Sequence, residues 1–133
     1  MMFTRLSRVA LVLVAVVSMA ACRTSSVYNV VDAPVTISTT TASVQAADVR
    51  NAIVRAGAAL GWQMKDDGPG RIVGTLHLRD HMAQVAITYS AQSYSINYLN
   101  SQNLKYDGGS IHSNYNGWIQ RLDGQIRANL LAM

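Results

Sequence analysis

One thiol, three imidazoles and seven carboxylates are the groups in this sequence suited to nucleophilic, acid–base or metal chemistry. The thiol is Cys22, and as the only cysteine it has no partner for an internal disulfide. Among the imidazoles, His77 and His81 are close in sequence with Asp80 between them, a set able to hold zinc or copper at a surface. The ordinary reading puts His77 on a solvated strand face, His81 in a turn and His112 near a helix start. Around that start, Tyr106, His112, Asn114 and Asn116 make a polar, aromatic cluster. Free backbone N–H groups there suit an anion or a partner's carboxylate, whereas Ser110 or Ser113 would simply cap the helix.

Serine, histidine and aspartate are all present, but no spacing favours a catalytic triad. There is no Gly-x-Ser-x-Gly elbow, and no second cysteine to serve as a nucleophile. Paired carboxylates occur only as Asp66-Asp67, beside Gly68-Pro69-Gly70, where aspartate is common for turn chemistry. Calcium-loop spacing is absent as well. The residues therefore do not read as an enzyme, and no cofactor is expected. Basic residues are scattered singly, which argues against nucleic acid as a partner.

The thiol gains its meaning from what precedes it. Arg5 and Arg8 lead into the apolar core Val9–Val17, and Ser18-Met19-Ala20-Ala21-Cys22 follows. A positive start, a short apolar core and small residues after it form a secretory signal; a membrane-spanning helix needs roughly 20 apolar residues. The segment Met19-Ala20-Ala21-Cys22 resembles the lipobox of bacterial lipoproteins, with methionine where leucine is usual. That resemblance implies cleavage before Cys22, a diacylglycerol on its sulfur and a further acyl chain, such as palmitate, on the new amine. Arg23, rather than aspartate, follows the cysteine, which by the same analogy implies an outer-membrane, periplasm-facing location. Removing 21 residues from 133 leaves 112, enough for one domain with its own core. Without Arg5 and Arg8, nine basic residues face seven aspartates, a net charge of about +2.

The elements behind the anchor follow from periodicity. Residues 22–29 are expected as the lipidated cysteine and a short polar tether, and residues 30–133 as one α+β domain. Val30–Ser38 reads as a strand with Val31, Ala33, Val35 and Ile37 on one face; Pro34 argues for an edge position or a break. Ser43 is expected to cap a helix over 44–60, whose stripe is Val49, Ile53, Ala56 and Leu60, with Gly61 ending it. Three alternating runs follow, over 71–79, 82–90 and 93–100. Pairing Leu78 with Ala83 and Leu76 with Val85, then Tyr89 with Tyr94 and Ile87 with Ile96, keeps every apolar set on one face. A last helix over 111–131 carries Ile111, Tyr115, Trp118, Leu122 and Ile126 as its buried stripe. The expected order is β-α-β-β-β-α, an antiparallel sheet with two amphipathic helices on one face.

The AGAALGW segment (56–62), the three-strand run and the closing IHSNYNGWI helix resemble small uncharacterised lipoproteins of Gram-negative bacteria. That resemblance implies fold and location and brings no activity. The reading is a membrane-anchored, non-enzymatic module that meets an envelope protein or cell-wall component. The alternative is a small metal-binding or stress-response lipoprotein using His77 and His81.

Overall fold

Alternation over residues 71–102 produces the centre of the molecule, three antiparallel strands joined by tight turns. The computed structural model describes residues 23–38 and 43–133. Its elements are β1 (Thr24–Ser26), β2 (Val30–Pro34), α1 (Ala46–Ala59), β3 (Gln63–Asp66), β4 (Arg71–Leu78), β5 (His81–Tyr89), β6 (Ser93–Gln102), β7 (Ser110–His112) and α2 (Ser113–Leu131). Five strands form one antiparallel sheet in the order β2-β6-β5-β4-β3, while β1 and β7 pair separately. The fold is α+β, as the periodicity predicts.

One continuous core joins the sheet to both helices. From the sheet come Ile72, Leu76, Val85, Ile87, Tyr94 and Ile96; from the helices come Val49, Ile53, Ala56, Tyr115, Ile119, Leu122 and Ile126. The opposite face carries Thr75, Gln84 and Thr88, which remain partly or fully exposed. Helix α1 ends in a Schellman arrangement: Trp62 N donates to Gly57 O at 2.9 Å and Gly61 N to Ala58 O at 3.3 Å. Gly61 has φ +86°, a conformation glycine enters at little cost. Met64 of β3 fills the space between Gly57 and Gly74; a Cβ on Gly57 would lie 2.5 Å from its side chain.

Several expected details differ. The β4–β5 pairing is shifted by two residues: Leu76 faces Ala83, Gly74 faces Val85 and Leu78 faces His81. A shift of two leaves each side chain on its own face, so the alternation alone could not separate the two registers. The turn is Arg79-Asp80, with Arg79 at φ +58°. The β5–β6 register matches from Tyr89–Tyr94 to Val85–Tyr98, after which a bulge inserts Leu99. Strand β2 is an edge strand and ends at Pro34, short of the expected Ser38, and it too is bulged, between Val30 and Ala33. Asp32 there has φ +49° and its N–H donates to Ser95 Oγ at 2.9 Å. The bulge buries Val30 and Ala33 and turns Val31 outward, 71% exposed, which corrects the single-face alternation expected from Val31.

Helix starts differ too. Gln45, not Ser43, is the N-cap of α1, and its N–H donates to Asp48 Oδ2 at 2.9 Å. Neither Ser110 nor Ser113 caps α2. His112 does, its Nδ1 accepting from Asn114 N at 3.1 Å. Ile111, expected as the first residue of the helical stripe, is buried from β7 instead. No helix among the described residues is long and apolar enough to cross a membrane.

Candidate functional site

Cys22 and the Met19–Cys22 motif lie outside the described residues. The chain immediately after them forms a paired strand. Thr24, Ser25 and Ser26 pair with His112, Ile111 and Ser110, so a strand forms where the sequence suggests a polar tether. Asn116 in the first turn of α2 secures it. Its Nδ2 donates to Ser25 Oγ and to Ser26 O, each at 2.8 Å, and its Oδ1 accepts from Tyr28 N at 2.9 Å. The side-chain amide thereby uses both its donors and an acceptor. Val27 N donates to Gly109 O at 3.1 Å, and Asn29 Oδ1 accepts from Tyr98 N at 3.0 Å. From Thr24 to Asn29 the chain is fastened to the body.

The histidines are arranged differently from the expected trio. His77 sits opposite Met82 on the exposed face of β4, whereas His81 pairs with Leu78 and faces the helices. Consecutive strand residues alternate faces, so His77 and His81 lie on opposite sides of the sheet. Instead, the His81 ring lies 6.2 Å from the His112 ring and 6.2 Å from Trp118. His81 Nδ1 is 2.8 Å from Asn103 O, which fixes Nδ1 as the protonated nitrogen and turns Nε2 toward Asp80 Oδ1 at 3.6 Å. Asn103 Nδ2 donates to Asp80 O at 2.7 Å, and His112 N donates to Leu104 O at 2.8 Å. Among the described residues no three His, Cys, Asp or Glu side chains converge as a metal-binding group. The arrangement laces together the β4–β5 turn, the 103–104 loop and the start of α2.

Of the remaining members of the expected contact set, Asn114 is exposed and gives its backbone N–H to His112, and Tyr106 is engaged through one face of its ring. Tyr106 stacks on Tyr98 with ring centres 4.0 Å apart, and Tyr98 meets Tyr115 edge-on at 5.7 Å. An open groove of about 560 Å³ runs along the outer edge of β6, lined by residues including Tyr98, Leu99, Ser101, Lys105 and Tyr106. In the loop below, Asp107 accepts from the N–H groups of Gly109 and Ser110 at 3.0 and 2.7 Å, and these bonds lower its pKa.

One buried polar group escapes a stripe-based reading. Asp123 is 8% exposed; its Oδ1 accepts from Tyr94 OH at 2.5 Å and its Oδ2 from Arg127 Nε at 3.0 Å. Burial first, and the hydrogen bond to Asp123 second, push the Tyr94 pKa well above the usual phenol range. The signal was available: Asp123 is four residues after Ile119 and three before Ile126, on the buried stripe, with Arg127 four residues further on. Compared with known proteins, the chain matches no family model, no curated protein and no solved structure.

Proposed function

We propose that the protein is a periplasm-facing outer-membrane lipoprotein, acylated on Cys22, whose folded domain binds an envelope protein or cell-wall component and does not act as an enzyme. The observation that carries this reading is the sequence Met19-Ala20-Ala21-Cys22 after a nine-residue apolar core. A folded strand beginning at Thr24 agrees with a mature chain that starts at Cys22. The non-enzymatic part is supported by the closure of the polar clusters on themselves: Asn116 holds β1, His112 caps α2, and Asp123 is shared between Tyr94 and Arg127. Among the described residues, surfaces open to a partner include the Thr75–Gln84–Thr88 sheet face and the groove beside Tyr106.

Membrane fractionation tests the location. The wild-type chain is expected in the outer-membrane fraction and Cys22→Ser in the soluble periplasm or with its signal uncleaved; cleaved Cys22→Ser that stays with the membrane contradicts the reading. Crosslinking in the intact envelope then identifies the bound component. A turnover abolished by a single side-chain substitution would remove the non-enzymatic part.

A further inference from the structure

Resting on the lipid anchor at Cys22, we propose that the end of the domain formed by the β4–β5 turn and the 103–105 loop lies against phospholipid headgroups, with the long strands directed away from the bilayer. The short reach of the chain between Cys22 and β1 determines which end of the domain is near the lipid. Only Arg23 separates Cys22 from β1 in the sequence, and two residues of chain reach at most about 7 Å. Thr24 pairs with His112; His112 is bonded to Leu104 and lies beside His81; His81 is bonded to Asn103, which is bonded to Asp80. This unbroken series ties the point where the chain leaves the lipid to one end of the sheet. The opposite end, at the Ala91-Gln92 turn, is separated from it by the nine residues of β5, roughly 30 Å of strand.

The chemistry of the near end suits an anionic, interfacial surface. Arg23, Arg79 and Lys105 are exposed and form no ion pair among the described residues. Two carboxylates oppose them: Asp80 faces the His81 ring, and Asp107, two residues after Lys105, accepts from the Gly109 and Ser110 amides. Leu78, last residue of β4, is 45% exposed and supplies apolar contact. Arg79 and Lys105 both occupy left-handed backbone conformations, φ +58° and +54°, where glycine or asparagine would be less strained. Long cations at these two tips can reach the phosphates of a bilayer surface.

The test uses the full-length chain, processed in its host and reconstituted in phosphatidylethanolamine–phosphatidylglycerol vesicles. With Cys22 acylated, Asp80→Cys and Gln92→Cys each provide a single free thiol for a bimane label. Lipids carrying a doxyl group near the headgroup are expected to quench most of the fluorescence at position 80 and little at position 92. Equal quenching at the two positions, or none at either, in protein that sediments with the vesicles overturns this orientation and leaves the anchor intact. Protein that stays in the supernatant with either label overturns both.

Discussion

Tyr94 and Tyr115 are both buried tyrosines, and they contribute to the fold in opposite ways. Tyr94 OH donates to Asp123, whereas Tyr115 OH has no hydrogen-bond partner among the described residues. Removing one member of a buried hydrogen bond leaves the other unsatisfied, at a cost of about 1–3 kcal/mol, while removing an unsatisfied hydroxyl is nearly neutral or favourable. Tyr94→Phe is therefore expected to lower the unfolding free energy by about 1–3 kcal/mol, and Tyr115→Phe to leave it unchanged or raise it, by chemical denaturation. Asp107 sets a pH dependence. Its folded pKa is depressed by the Ser110 and Gly109 amides, so its contribution is present at neutral pH and is lost as pH falls through that depressed value. Asp107→Asn is expected to lower the thermal midpoint at neutral pH and to flatten its decline below about pH 4. An equal loss at all pH values would refute that role.

At the scale of elements, glycine is a sharp probe because α1 and α2 use it differently. Gly57 in α1 admits the Met64 side chain, and a Cβ would collide with it. Gly124 in α2 has nothing within 4 Å of its Cβ position. Helix propensity alone favours alanine at both sites by up to ~1 kcal/mol. Overpacking reverses the sign at the first, so Gly57→Ala is expected to destabilise by about 1–3 kcal/mol and Gly124→Ala to stabilise by about 0.5–1 kcal/mol. The helices and the three central strands were legible because Val49-Ile53-Ala56, Tyr115-Trp118-Leu122 and the alternating runs repeat at helix and strand periods. Less was legible where a strand is short or a residue is inserted. Strands β1, β3 and β7 have three, four and three residues, too few to show a period. The bulges at Val31-Asp32 and Leu99 change parity without any composition signal. In the expected contact cluster, the place of His112, Asn114 and Asn116 at the start of α2 was legible, and the engagement of Asn116 with β1 was not. Asn116 and His112 do meet a polypeptide, but it is the chain's own β1. Asn116→Ala, which removes three of these hydrogen bonds, is expected to speed amide exchange at Val27 and Tyr28 while the protection of β5 is unchanged.

At the scale of the whole molecule, the proposed attachment point adjoins the fold: the first strand begins two residues after Cys22, and its partner β7 runs directly into α2. A domain so closely attached would sample few orientations at a surface, and Cys22 would set both its location and its attitude. Each buried methylene of an acyl chain contributes about 0.8 kcal/mol to membrane affinity, so two or more chains hold a protein stably where one does not. The most direct test of this account is the intact mass of the mature protein extracted from the membrane, with fragmentation of its N-terminus. The account predicts a chain that begins at Cys22 and carries a diacylglycerol on its sulfur and an acyl chain on its amine. A mature chain with a free Cys22 thiol, or one cleaved elsewhere, would contradict it.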